Sequence, residues 1–385
     1  VWTLIIYVFY AGSLDFFERF YSTSPSGPSK SSSTLEPGFI EKARGLVIGR
    51  RSLLRWAGYS VIGVAAYDIA RALLTPILQA GAGRVKNGTG RFPDIDGLAL
   101  ETTPTADFYE VSKNPSDPEV DERRWKLEIA GLVETPLTFT YEQFKSLPYV
   151  EEYATLECIS NEVGGSLISN ALWRGVPLRN ILQTAGLKPG LVKIVVRAID
   201  GYSDSIPLDR AMQEGTMLAY LINGASLPHS HGFPLRLIVP GIYGMKNVKW
   251  ITRIEAVDYD FKGYWQRRGW DDRAEYKTMS RIDAPDSTVR GTGTIAGIAF
   301  AGDRGVSKVE VSSNAGATWE PAEIKPALSR FTWVLWSKDW KPPGPGTRQV
   351  IVRATDGKGV TQTSDHAPPI PDGSSGYDGR AILTK

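Results

Sequence analysis

The sequence predicts an α+β body with mixed sheets over residues 95–282, an all-β sandwich over 283–370 and a short tail over 371–385. Three observations lead there. Between residues 125 and 257 the apolar side chains fall in short runs or alternate, as strands require, and only three stretches have helical spacing. Strands and helices do not alternate regularly, and no glycine fingerprint for a dinucleotide opens a helix, which argues against a doubly wound parallel sheet. Beyond Asp283 the strand-like runs come at close intervals with Gly, Pro, Asn and Asp between them, the spacing of a sandwich.

Residues 1–94 belong to a different regime: they carry 11 basic and 6 acidic side chains, against 33 and 36 in the rest of the chain. Residues 1–11 are apolar and aromatic, but too few to cross about 30 Å of hydrocarbon, and read as the stub of a longer helix. The Ser- and Pro-rich stretch 22–34 is a linker too poor in apolar groups to order itself. Arg50-Arg51 then precedes an uncharged stretch, 56–67, closed by Asp68 and Arg71. Two readings stay open: a twin-arginine export signal, or a membrane anchor running to Leu78 with the arginines on its cytoplasmic flank. Either places the body outside the cytoplasm and at a membrane. The glycine-rich stretch 81–90 is the joint before the body.

Within the body, 125–129, 138–141, 153–156, 194–198, 235–239 and 251–257 read as strands. Residues 141–146, 178–185 and 208–214 read as short helices, the last opened by Pro207. In the sandwich, whose strand spacing is of immunoglobulin type, the expected strands are 294–300, 306–312, 319–324, 331–336, 348–354 and 360–363. Alternation sets Phe331, Trp333 and Leu335 on one face, toward the sandwich core. Residues 367–376 read as irregular. With 44 Lys plus Arg against 42 Asp plus Glu, the chain has no basic field for nucleic acid.

Cys158 is the only cysteine, so it forms no disulfide within the chain, no multi-cysteine metal cage and no C-x-x-C-H haem site. It ends a strand-like run at a Ser160-Asn161-Glu162-Val163-Gly164-Gly165 turn, where backbone comes close to something. It is either a buried apolar filler or one soft ligand to a metal whose other ligands come from a cofactor. His229 and His231 in an extended segment would share one side, as zinc or copper ligands do. The alternative is an anion site, in which His231, Arg236 and the glycine-rich segment 241–249 supply cationic donors and backbone amides.

Eight motifs in order resemble the sulfite oxidase family of molybdopterin enzymes: Phe108-Tyr109-Glu110-Val111-Ser112; the stretch 125–136; Cys158-x-x-Asn161-x-x-Gly164-Gly165; the stretch 173–178; Asp200-Gly201-Tyr202 running to Pro207; the stretch 231–236; Val239-Pro240-Gly241 running to Gly244; and Val248-Lys249-Trp250. The order of the parts, a molybdenum domain followed by an immunoglobulin-like domain, is similar too. The resemblance implies a sulfite-oxidase-type fold and a molybdopterin cofactor with Cys158 as the metal's protein ligand. It implies Tyr109, Glu110, Asp200, His231, Arg236, Asn247, Val248 and Lys249 as cofactor-binding residues, and Cys158, Asn161 and Trp270 as catalytic ones.

The implied reaction moves an oxygen atom to or from a small sulfur compound, with sulfite oxidation ahead of sulfoxide reduction of the methionine sulfoxide reductase type. Val163 and Trp270 stand where that family carries an arginine and a tyrosine; Arg267, Arg268 or Arg273 could replace the anion clamp, but solvated surface charge is the favoured reading of the three. Electrons would pass to a separate carrier, a cytochrome or a membrane haem or quinone subunit, and the sandwich implies a homodimer. The alternative outside catalysis is an exported binding or adhesion protein in which Cys158 is merely buried.

Overall fold

The computed structural model describes residues 95–385; the export signal or anchor and the linkers expected within 1–94 lie outside the described residues. In chain order the first part holds β1 (Lys126–Gly131), β2 (Leu137–Thr140), α1 (Tyr141–Lys145), β3 (Val150–Glu157), β4 (Ile168–Pro177), α2 (Leu178–Ala185), β5 (Lys193–Ala198) and β6 (Ser203–Pro207). There follow α3 (Leu208–Met212), β7 (Met217–Ile222), β8 (Ala225–Ser226), β9 (Arg236–Ile238) and β10 (Ile251–Val257). Thr140 starts α1 with a capping box: its hydroxyl accepts from Gln143 N while the Gln143 side chain accepts from Thr140 N. Helix α2 buries Leu178, Ile181, Leu182 and Ala185, one face at helical spacing, and stops at Gly186, whose φ of 70° suits glycine.

Two sheets form from these strands. One runs β2-β1-β10-β5-β6 and is mixed, because β1 pairs β10 in parallel while its other ladders are antiparallel. The other runs β3-β4-β7-β8 with β9 beside β7, all antiparallel. Helices α1 and α2 and the apolar faces of β1, β5 and β10 close over one core, where Leu127, Phe144, Leu182, Ile194 and Ile254 are fully buried. The strands β4, β6 and β7 go beyond the expected set, since in two of them burial on both faces erases the alternation that marks a strand.

The sandwich holds β11 (Met279–Ala284), β12 (Thr288–Val289), β13 (Gly293–Phe300), β14 (Val306–Ser312), β15 (Glu320–Pro321), β16 (Glu323–Ile324), β17 (Val334–Trp340), β18 (Gly346–Asp356) and β19 (Asp378–Thr384). Its sheets are β11-β13-β17-β16 and β12-β19-β18-β14-β15, packed over Ile282, Ile295, Val309, Trp336, Val352 and Ile382. The expected boundary at 282/283 falls inside β11, so the sandwich begins earlier. The expected tail, 371–385, is corrected as well: β19 pairs β18 along seven residues and buries Ile382. The run 319–324 divides between the two sheets, and 360–363 contributes one bridge, Thr355 to Thr361.

Phe331 leaves the sandwich altogether. It packs with Phe108, Leu156 and Trp173 of the first part, and Thr155 N donates to its carbonyl at 3.0 Å. Trp333 and Leu335 join Ile159, Tyr243 and Tyr276 in a cluster shared by both parts. That shared cluster lies directly behind the Cys158 turn. Among the described residues, no helix is long and apolar enough to cross a membrane.

Candidate active site

Strand β3 delivers Glu157 and Cys158 to a turn that closes when Cys158 N donates to Leu167 O (2.9 Å) and Asn161 N to Cys158 O (2.9 Å). Gly164 has a φ of 73°, and a Cβ on Gly165 would lie 2.4 Å from Asn161 Oδ1, so both glycines are required where they stand. Asn161, expected among the catalytic groups, does not line the cavity on which Cys158 opens. Its amide nitrogen donates to Glu157 Oε1 (2.9 Å) and its oxygen accepts from Leu167 N (2.9 Å), so the side chain holds the turn. The sandwich braces the same turn, with Arg281 Nη1 donating to Gly165 O (2.8 Å) and a Cβ on Gly164 set to strike Asp378.

Cys158 opens on a cavity of about 770 Å³ that brings together ten of the eleven residues expected at the site, all but Asn161. Cys158 Sγ lies 2.8 Å from Ser160 Oγ. Burial pushes the thiol up, opposed by the Ser160 hydrogen bonds and aided by the neighbouring Glu157. Burial also pushes the Glu157 carboxyl up to about 7.

Three basic groups line the same cavity. His231 is held by Nε2 near Thr105 O (3.1 Å), and Lys249 Nζ donates to Ser112 Oγ (2.6 Å) and Ser230 O (2.8 Å). Arg236 donates from Nη1 to His231 O (3.3 Å), while its buried Nε has no hydrogen-bond partner. Burial, then the nearby Arg236 charge, lowers both Lys249, to about 7, and His231. Clustered buried cations with a free donor are what a bound phosphate would satisfy. The residues present therefore fit the phosphate-bearing pterin that the family resemblance implies.

Asp200 is held in place: Oδ1 accepts from Tyr202 N (2.9 Å) and Oδ2 from Asn114 Nδ2 (3.2 Å). Asn247 spends its side chain on Val239 N, Ile242 O and Tyr243 O, so it shapes the loop and leaves backbone for a ligand. Tyr109 OH lies 2.6 Å from where a Cβ on Gly244 would stand, which explains the glycine there. Glu110 is half exposed, 3.7 Å from His231 Nε2.

His229 and His231 sit in a 3-10 turn after Pro228, where His229 packs on Phe233. They are not the extended pair expected of a zinc or copper site. Among the described residues no three metal-ligating side chains cluster. Lys113, Ser160, Met245, Trp250 and Trp265 also line the cavity, and sequence reasoning gave none of them a site role. Lys113 directly follows the quoted Phe-Tyr-Glu motif and was legible by proximity alone.

Trp270 does line the cavity, stacked on Trp265 with centroids 4.4 Å apart and planes at 22°. The three arginines weighed as a replacement clamp lie elsewhere. Arg267 Nη1 donates to Lys262 O, Arg268 Nη1 to Tyr264 O, Arg273 is exposed, and none of the three lines the cavity.

Residues 114–265 match the family model of the oxidoreductase molybdopterin binding domain, and 276–369 that of the Mo-co oxidoreductase dimerisation domain. The uncharacterized oxidoreductase YuiH of Bacillus subtilis (strain 168) is 33% identical over 155 residues, 40% of this chain and 76% of that protein. The chain belongs to the sulfite oxidase family of molybdopterin oxidoreductases. Mitochondrial sulfite oxidase of Macaca fascicularis is 30% identical over 319 residues, 70% of this chain. The chain spans 58% of that relative's length. Among solved structures, the sulfane dehydrogenase SoxCD from Paracoccus pantotrophus superposes with a TM-score of 0.65 at 26% identity, covering 73% of this chain and 81% of that one. In this member of the sulfite oxidase family, most cavity residues fall within the molybdopterin-binding match, and β19 extends the sandwich past the dimerisation match.

Proposed function

We propose that the chain is a molybdopterin oxidoreductase that moves an oxygen atom to or from a small sulfur compound and exchanges electrons with a separate carrier. One observation carries the reading: a lone buried thiol and a partly unsatisfied basic cluster open on one cavity. Cys158 would bind the metal; Arg236, Lys249 and His231 would hold the phosphate, with Tyr109, Glu110, Asp200 and the backbone at Asn247 and Val248 around the pterin. Bound there, molybdenum supplies two-electron oxygen-atom transfer. The protein's share is to fix the thiol through the Asn161-braced turn, to neutralise the phosphate, and to wall the cavity from water with Trp265 and Trp270.

Sulfite oxidation leads by family. A second reading, reduction of a neutral sulfoxide, is favoured by one feature: Ile159, Met245, Trp265 and Trp270 line the cavity, while Arg267, Arg268 and Arg273 do not. A dianion needs dedicated cationic donors, whereas a neutral sulfoxide fits an apolar, aromatic wall. The sandwich, of immunoglobulin type, would pair two chains, and residues 1–94 would keep the catalytic part outside the cytoplasm and at a membrane.

Molybdenum and phosphorus analysis of protein expressed with cofactor supply tests the enzyme reading. About one metal per chain is expected, and a value far below that sinks it. Sulfite oxidation and sulfoxide reduction, assayed on one sample, separate the two substrates.

A further inference from the structure

A ladder of alternating acids and bases leaves the cavity on the Tyr202 side. Tyr202 lines the cavity, and its hydroxyl donates to Asp204 Oδ2 (3.2 Å) and Met245 O (2.8 Å). The other Asp204 oxygen accepts from Lys246 Nζ (3.0 Å) and Ser205 N (2.7 Å). Lys246 Nζ in turn donates to Asp272 Oδ1 (3.0 Å) and Ser205 O (2.9 Å). Asp272 Oδ2 accepts from Lys193 (2.6 Å) and Lys262 (2.7 Å). Exposure rises along this line: the Asp204 and Lys246 side chains are 1% exposed, Asp272 25% and Lys262 44%.

A buried ion pair of this kind adds little net stability over well-packed apolar residues, so stability alone gives weak reason for a sealed Lys246 and Asp204. What the arrangement supplies is an unbroken series of exchangeable protons from the cavity wall to water. The reaction proposed above needs one. Removing an oxygen atom from a substrate as water consumes two protons with the two electrons, and the reverse reaction releases them.

We propose that Tyr202, Asp204, Lys246 and Asp272 form a proton path between the cavity and solvent, a role that rests on the oxygen-transfer reading. In the uptake direction, Lys246 passes a proton to the Asp204 carboxylate, which hands it to Tyr202 Oη as Tyr202 gives its own proton to an acceptor in the cavity. Lys246 is refilled by Asp272, which takes a proton from water. One proton enters at Asp272 and one leaves at Tyr202, each link returns to its starting state, and no electron moves along the path. Release runs the same steps backward. Although burial opposes it, the lysine hydrogen bonds, Lys193 first, hold the Asp272 carboxyl well below the usual range, so Asp272 passes a proton on and does not store it. The other titratable groups facing Tyr202 are Asp200 and Cys158, with Lys113 paired to Asp200.

The test uses the metal-loaded chain without substrate, photoreduced in weak buffer, with proton uptake followed by a pH-indicator dye. Tyr202→Phe removes one hydroxyl and leaves the Asp204–Lys246–Asp272 bridge whole. It is expected to keep its metal and its extent of reduction while proton uptake slows at least tenfold, with an altered solvent deuterium isotope effect. Asp272→Asn, at the outer end, is expected to slow uptake likewise. Uptake at the parent rate in a fully loaded Tyr202→Phe variant overturns the path and leaves the oxidoreductase reading standing. Loss of cofactor from that variant assigns the hydroxyl to cofactor binding and overturns the path too. A parent chain that holds no metal overturns both.

Discussion

Replacing Lys249 with methionine removes a charge but keeps most of the volume, and its effect changes sign with pH. In the cofactor-free chain burial and Arg236 hold Lys249 at about 7, below its ordinary 10.5. The folded pKa of this base is depressed, so protonation favours the unfolded chain: the penalty is absent above pH 10.5, grows as pH falls, and is complete below pH 7. Its full size is on the order of 5 kcal/mol, at about 1.4 kcal/mol per pH unit between those values. Lys249→Met escapes it, but leaves Ser230 O without the Lys249 bond, a cost of about 1–3 kcal/mol at any pH. Urea unfolding of the two cofactor-free chains should therefore find the variant less stable at pH 10 and more stable at pH 6. With cofactor the order reverses, because a phosphate turns the strained cation into a paired one. Losing one charge-assisted hydrogen bond, about 1.5–3 kcal/mol, weakens retention roughly 10- to 150-fold, read as phosphorus per chain. A stability difference that does not vary with pH would refute the strained-cation argument, and unchanged phosphorus content would refute the phosphate role of Lys249.

Cys158→Ser should abolish metal binding and turnover with an unfolding midpoint close to the parent's, since volume is nearly conserved; parent-level metal content would contradict its role as ligand. Asn161→Ala should cost about 1–3 kcal/mol in urea unfolding, because Leu167 N and the Glu157 carboxyl lose their partner, and a loss under about 0.5 kcal/mol would remove it as the turn's brace. Deleting residues 377–385 should prevent cooperative unfolding, since β18 loses its β19 ladder and Ile382 leaves the core; a deletion variant with the parent transition would return that segment to the status of a tail.

Much of the fold was legible because short motifs carry local physics. Helix α2 matched residue for residue because its buried face and Gly186 are written at helical spacing. Strands β4 and β7, sealed on both faces, show no alternation and went unread. The β19 pairing was invisible because it joins residues distant in sequence, and its irregular approach through Pro and Gly resembles a loose end. At the site, Cys158, Arg236 and Lys249 were readable as residue types at telling positions. The role of Asn161 was not, because whether an amide faces inward to the turn or outward to the cavity depends on Glu157 and Leu167. Phe331 misled for a related reason: alternation tells which side a residue takes, but not that the chain has already left the sheet.

The contact of Asp378 with the Gly164 turn has a consequence for synthesis. As the chain emerges from the ribosome, Cys158 appears 220 residues ahead of Asp378. At about 5–20 residues per second that is a wait of roughly 10 to 45 s during which the thiol lacks Tyr276, then Arg281, Phe331 and finally Asp378. The pocket is thus finished only once residue 378 has been made and folded back onto the turn. Loading it with the cofactor must wait for that moment, and any shortened product that stops before residue 378 yields a cysteine turn without that part of its back wall.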